Sequence, residues 1–242
     1  MPKTPAPVRA TFPGAVEMTT FLTEQGAWLA SNDFTPGDAL AVAATCRDEL
    51  ASEFRAEVRR RWHWAFDFAS LSGLPLAGTT AMRAVIDHAP HTAGYPEIVI
   101  FALPHIGVLE DGTIARAARR GRSRPSTACA SLFTASDWVR RRPPDAAPEI
   151  DPLDPEQSLV RERLAAELGD FSTLGPIGLT QAVADLMVAD LWRLVEAVTV
   201  PSEEDVAVVS GILVHGPDGD YVQPRSVRLR RNGVLEESAG AF

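Results

Sequence analysis

The sequence predicts an α/β domain with a mostly parallel central sheet, helices on its faces and a β-hairpin at the carboxyl end. Three observations carry that expectation. ALAVAAT (39–45) and EIVIFAL (97–103) are apolar runs of strand length, as expected of strands buried on both faces of a parallel sheet. Segments with helical periodicity alternate with them, which places helices against the sheet. Near the end, DVAVVSGILVHG, a GPDGD turn and YVQPRSVRLRR read as a hairpin.

The elements follow in order. Residues 1–15, MPKTPAPVRATFPGA, are rich in proline and predict a flexible tail, leaving residues 16–242 as a single domain. EMTTFLTEQGAWLA (17–30) sets Phe21, Leu22, Trp28 and Leu29 at roughly helical spacing. The turn signal TPGD (35–38) leads into the first strand. Beyond it Leu50, Phe54, Val58 and Trp62 recur every fourth residue, with Glu53, Arg55, Glu57, Arg59 and Arg60 between them. That is an amphipathic helix with its apolar stripe toward a core. Asp48 and Glu49 lie in its first turn, where the helix dipole favours negative charge.

LSGLPLAGTTAM then precedes a short helix reaching Asp87, and Pro96 opens the second strand, which ends at Pro104-His105. Residues 109–120 read as helical, ending in Ala-Ala-Arg-Arg before Gly121. Residues 125–139 read as a helix opened by the cap-type residues Pro125, Ser126 and Thr127. The charged, proline-dense segment 140–156 is a surface connection. Helices follow over 155–168 and 178–198, the second with Leu186, Val188, Leu191, Leu194 and Val195 as apolar contacts.

Composition narrows the function classes. A chain of 242 residues can bury a core without disulfides, and 45% hydrophobic with 23% charged residues is the balance of an ordinary soluble globular protein. A net charge of −9 argues against nucleic acid or an anionic membrane as partner, because both require a basic face. No apolar run reaches membrane-span length and no leader pattern opens the chain, so the expected location is cytoplasmic. There the two cysteines, Cys46 and Cys129, are expected to stay reduced.

Several motifs carry less than their spacing suggests. Gly73 to Gly78 has the glycine spacing of a phosphate-binding loop but lacks its lysine, and Pro75 removes an amide donor. Its glycines are read as permitting a tight bend. His88 and His91 are three apart, but Pro90 breaks any helix that would align them on a metal. His63 and His215 read as packed or capping histidines.

Cys46, His105 and Cys129 are more informative. Each stands at the end of an expected strand or at the start of the following helix. In open α/β sheets ligands bind outside the carboxyl ends of the strands, where these positions converge. Zinc takes thiolate and imidazole ligands, and a catalytic zinc keeps three protein ligands and one open position. On spacing alone a second reading stands beside this one: each cysteine a small buried hydrophobe, and His105 a satisfied loop histidine.

Four blocks occur in order: Cys46-Arg-Asp48-Glu49, Gly73-Leu-Pro-Leu-Ala-Gly78, Phe101-Ala-Leu-Pro104-His105-Ile-Gly107-Val and Pro125-Ser-Thr-Ala-Cys129. Together they resemble the limiting-carbon-dioxide-inducible protein B/C family, which is similar to β-carbonic anhydrases. The hairpin residues Gly211-Ile212 and Asp220-Tyr221 also look like that family's carboxyl end. The resemblance covers roughly residues 20–225, and its most specific parts are the Pro-His-Ile-Gly and Ser-Thr-Ala-Cys blocks, 129 − 105 = 24 residues apart from histidine to cysteine.

The resemblance implies a β-carbonic anhydrase-like fold, a Zn2+ ion held by Cys46, His105 and Cys129, and a homodimer with its active sites near the interface. It implies hydration of carbon dioxide to bicarbonate in a small apolar pocket, which Phe66, Phe68 and Leu103 are expected to line. Asp48 matches the aspartate of the Cys-x-Asp motif, which an arginine holds beside the metal's open position and which can also swing onto the metal. A β-carbonic anhydrase carries that arginine two residues after the aspartate, where this chain has Leu50. Among Arg47, Arg55 and Arg59, Arg55 is the expected partner because it lies on the helix that Asp48 begins. The alternative is a catalytically silent, zinc-stabilised homodimer that binds inorganic carbon or a partner protein.

Overall fold

In the computed structural model, residues 4–91, 94–143, 149–167, 173–200 and 203–238 are described. The helices are α1 (Ala6–Thr11), α2 (Met18–Ala30), α3 (Ser52–Arg61), α4 (Gly78–His88), α5 (Ala130–Arg141), α6 (Pro155–Glu167) and α7 (Pro176–Val198). The strands are β1 (Val16–Glu17), β2 (Ala39–Thr45), β3 (Trp64–Asp67), β4 (Glu97–Leu103), β5 (His105–Gly107), β6 (Arg116–Ala117), β7 (Ser126–Thr127), β8 (Asp205–His215), β9 (Asp220–Arg231) and β10 (Val234–Ser238).

Among the described residues the main sheet has eight strands, ordered β1-β9-β8-β4-β2-β3, with β10 also on β9 and β5 also on β8. The inner pairs β3/β2, β2/β4 and β4/β8 are parallel, and the β8/β9 hairpin adds an antiparallel edge. Pro104 interrupts one continuous strand: Glu97 pairs with Asp205 and, beyond the proline, His105 pairs with Leu213 in the same register. Proline has no amide to donate to the ladder, so the break falls just before His105.

Side-chain alternation divides the apolar strands between two cores. Leu40, Val42, Ala44 and Cys46 of the first strand and its end face one side with Ile98, Ile100, Ala102, Val206 and Val208. There they meet Leu132 of α5, Val160 of α6 and Leu179, Val183, Met187 and Leu191 of α7. Ala39, Ala41, Val99, Phe101, Leu103 and Val209 face the other side, against α2 and α3. Phe101 meets Phe54 and Trp62 edge-on, both at 6.2 Å between ring centroids. Phe54, Val58 and Trp62 of the four-residue period thus cover the sheet, whereas Leu50 lies in the turn before α3 and outside that cluster.

Three expectations need correction. The flexible tail does not extend through residues 4–15: α1 lies there, and Val8 and Phe12 are fully buried with Ile106, Ile212, Val214 and Tyr221. Its prolines are compatible with this, because one of them opens the helix at its first turn. Residues 109–120 are not helical. Gly112 and Ala115 take positive φ, Leu109 and Thr113 close a turn, and β6 pairs antiparallel with β7. The final helix of that region starts at Ala130 rather than 125, because Ser126 and Thr127 belong to β7 and Cys129 takes a left-handed conformation (φ 53°, ψ 53°).

Candidate metal centre

Cys46 continues the β2 face pattern one residue past the strand and is bridged in parallel to Ser70. The loop after Ser70 closes over it. A Cβ on Gly73, which has φ +80°, would lie 3.3 Å from the Cys46 amide nitrogen and 3.1 Å from Met187 Cε. The glycine motif therefore serves a tight bend against Cys46, as its missing lysine suggested. Cys129 arrives from the other side, at the start of α5, and His105 stands directly after the Pro104 break.

The three side chains are fully buried, and their donor atoms all lie within 4.8 Å of one another. The two sulfurs are 3.9 Å apart, and His105 Nε2 is buried with no hydrogen-bond partner. Among the described residues this is the one group of three His, Cys, Asp or Glu side chains close enough to hold a metal ion. His88 instead packs its ring on Phe66, and His63 and His91 are exposed.

Cys129 Sγ donates to Cys46 Sγ. The Cys129 thiol donating to it, and His105 nearby, pull the Cys46 thiol well below its usual range despite burial. The Cys46 thiolate and burial push Cys129 up in turn. Two buried sulfurs next to an unpartnered imidazole nitrogen form a donor set that suits a soft metal cation.

Asp48 flanks this cluster, its Oδ2 3.9 Å from His105 Nε2. Its backbone caps a short 3-10 turn, Glu49–Ala51, and its Oδ1 accepts from the Leu50 amide at 3.1 Å. Arg119 grips it bidentately, Nη1 to Oδ1 at 2.7 Å and Nη2 to Oδ2 at 2.9 Å. Arg119 also donates to Ser126 Oγ at 2.6 Å and to the Thr127 carbonyl at 3.0 Å, and contacts Glu49. Burial opposes ionisation of Asp48, but the guanidinium and the Leu50 amide outweigh it and hold the carboxyl well below the usual carboxylate range.

The expected partner, Arg55, serves elsewhere. Its Nη1 donates to the Cys46 carbonyl at 2.7 Å and its Nε lies 3.7 Å from Asp67. Arg47 pairs with Glu156 and Arg59 with Asp67. The side chain of Arg55 is directed along α3 to the end of β2, whereas Asp48 turns toward the β6/β7 loops. Arg119 lies in the segment 109–120, whose composition suggests a helix and so gives no hint of this pairing. The available signal was Asp111-Gly112, a turn dipeptide whose aspartate accepts from Thr113 N at 2.9 Å.

Of the expected pocket residues, Phe68 lies in the cluster with Cys46 and Cys129, and Phe66 packs against that cluster. Leu103 faces the opposite side of the sheet. A cavity of about 500 Å³ lined by Glu49, Arg119, Arg122, Ser126, Thr127 and Ala130 opens beside the Asp48–Arg119 pair.

A second omission lies behind His105. Its Nδ1 is 2.9 Å from His215 Nε2, and His215 Nδ1 is 2.7 Å from Asp220 Oδ1. The rings meet edge-on at 5.1 Å. Burial pushes the His215 pKa down, against the raising effect of Asp220.

Fold and site together define an α/β protein with a candidate metal centre at the carboxyl ends of a parallel sheet, beside an aspartate–arginine pair. The family model for limiting CO2-inducible proteins B/C beta carbonic anhydrases matches residues 15–231, and the chain belongs to that family. Its structure is similar to the crystal structure of the limiting CO2-inducible protein LCIB, with 25% identity, 95% of this chain and 96% of that chain covered, and a TM-score of 0.78. PtLCIB4, a homologue of LCIB, is similar in fold at 23% identity, with 96% and 98% covered and a TM-score of 0.83. No curated protein matches the chain. Among the described residues no helix is long and apolar enough to cross a membrane.

Proposed function

We propose that this chain is a zinc-dependent carbonic anhydrase that interconverts carbon dioxide and bicarbonate as a homodimer. Cys46, His105 and Cys129 would hold the zinc. Their donor set of two sulfurs and one imidazole nitrogen matches that metal's preference, and the unpartnered, buried His105 Nε2 is the atom a metal would satisfy. When bound, zinc supplies the Lewis acidity that makes water nucleophilic near neutral pH.

The observation that carries the catalytic reading over the silent one is the bidentate Arg119–Asp48 pair. A carboxylate gripped at both oxygens is restrained from swinging toward the three donors, and would leave room for water beside them. Asp48, kept ionised, accepts a hydrogen bond from the attacking water and orients its oxygen. Arg119 fixes the carboxylate and holds its charge. The water oxygen then bonds to the carbon of CO2, one C=O electron pair moves onto oxygen, and one proton leaves to buffer. The product is bicarbonate.

Metal analysis and a stopped-flow pH-indicator assay test this reading. The expected result is about one zinc per chain, lost on Cys46→Ser, His105→Ala or Cys129→Ser, together with hydration that Asp48→Ala lowers by roughly 100-fold or more, the scale of a lost proton-handling group. Zinc retained in full by all three variants would overturn the site. A zinc-loaded protein with no rate above buffer would overturn the enzyme reading and leave the silent dimer. Sedimentation velocity tests the dimer: a single species at monomer mass would exclude it.

A further inference from the structure

The contacts behind His105 determine which of its nitrogens is free. A carboxylate accepts but cannot donate, so the 2.7 Å contact to Asp220 Oδ1 places the proton of His215 on Nδ1. A neutral imidazole has one donor and one acceptor nitrogen. His215 Nε2 is therefore the acceptor, and the ring nitrogen 2.9 Å away, His105 Nδ1, must be the donor. That leaves His105 Nε2 bare, buried and grouped with the two sulfurs. The opposite tautomer would set two lone pairs against each other at 2.9 Å and bury an N–H without an acceptor.

We infer that His215 and Asp220 are positioning residues that lock His105 as the Nδ1–H tautomer and direct its Nε2 lone pair into the metal site. The inference rests on the metal-centre reading above. A group that accepts the other ring N–H of a ligating histidine orients the ring and raises its basicity.

The fold holds the pair rigidly. His215 ends β8 and Asp220 opens β9, and the two residues face each other in the hairpin register. The backbone carbonyl of His215 accepts from Val108 N at 2.9 Å, which ties it to the strand of His105. Gly216 closes the turn under Val8 of α1, where a Cβ would lie 3.0 Å from both Val8 and Tyr221. The helix at the amino end thus packs on the turn that presents His215 and Asp220. Outside, Asp220 borders a groove with Glu49, Leu50, Arg119 and Arg120, so both sides of the centre meet one surface.

Zinc affinity, measured by competition with a chromophoric chelator, tests the inference without reference to activity. His215→Phe keeps an aromatic ring but removes the acceptor, and should weaken zinc binding by roughly 10- to 100-fold. His215→Gln, whose side-chain carbonyl can accept the His105 Nδ1–H, should recover most of that loss. Asp220→Ala should weaken binding by a smaller factor, because His215 is then free to take either tautomer. Circular dichroism checks folding, and if His215→Phe does not fold, Asp220→Ala and ¹⁵N NMR of the zinc-loaded wild type carry the test. The NMR should show zinc on His105 Nε2 and a proton on Nδ1. Folded His215→Phe with wild-type affinity, or zinc on His105 Nδ1, would overturn the inference. A wild-type chain that takes up no zinc would overturn the metal-centre reading beneath it instead.

Discussion

Arg55 and Arg119 both reach the turn after Cys46, but at different atoms. Arg55 donates to the Cys46 carbonyl, whereas Arg119 takes both oxygens of Asp48. The two arginines should separate in experiment. Arg119→Ala removes the clamp and lets Asp48 compete for the metal, so CO2 hydration should fall by roughly 100-fold while zinc content holds. Arg119→Lys should rescue little, since a single ammonium cannot reproduce a planar two-point grip. Arg55→Ala should leave most of the activity and instead lower stability by about 1–2 kcal/mol, the loss of a charge-assisted bond to the carbonyl of the buried Cys46. Stopped-flow rates and denaturation midpoints for the three variants check this. Equal losses for Arg55→Ala and Arg119→Ala would remove the distinction.

The hairpin of β6 and β7 decides where Arg119 goes, and it depends on Gly107. A Cβ there would fall 2.2 Å from the Arg116 carbonyl oxygen and 2.6 Å from its carbon, both backbone atoms that cannot rotate away. Gly107→Ala should therefore destabilise the protein by at least the ~1–3 kcal/mol typical of overpacking and displace Arg119 with the hairpin. A variant with wild-type stability and activity would show that the approach is not required. Phe12→Ala should cost about 3–5 kcal/mol, as a fully buried ring does, measured by chemical denaturation. A neutral result would mean that α1 is dispensable. These two elements also mark the limit of what could be read in advance. Buried strands announce themselves by unbroken apolar runs, and α3 by its four-residue period, because burial dictates those patterns directly. Strand and helix ends let Cys46, His105 and Cys129 converge, but spacing alone leaves them as core residues, and their reading as ligands comes from the family resemblance. The β6/β7 hairpin and α1 were not legible, since Ala-Ala-Arg-Arg has good helical propensity and a proline-rich start suggests disorder. Tertiary contacts, namely the Gly107 approach and the pocket for Val8 and Phe12, override both local tendencies. His215 and Asp220 were hidden for a related reason: their partner lies across the sheet, 110 residues from His215 in the chain.

Across the whole molecule, the two ends of the sheet place their acids in opposite electrostatic surroundings. Asp48, at the carboxyl end, has Arg119, while Glu97 at the amino end pairs in register with Asp205 and has a buried oxygen without a hydrogen-bond partner. Burial first, then Asp38, Asp205 and Asp33, raise Glu97 from 4.5 to about 7. A group whose pKa is higher folded than unfolded binds its proton more tightly in the native state. Its contribution is therefore complete below pH 4.5 and is lost as pH rises through about 7. Denaturation midpoints across that window should fall with rising pH in the wild type and flatten in Glu97→Gln; an unchanged slope in the variant would exclude Glu97 as the source. At the opposite end, the three buried donors Cys46, His105 and Cys129 are the feature to test. Zinc K-edge X-ray absorption of the loaded wild-type protein measures their ligation directly. A zinc held by Cys46, His105 and Cys129 would show two sulfur neighbours at about 2.3 Å and nitrogen or oxygen neighbours at about 2.0–2.1 Å. A first shell without sulfur would contradict that assignment.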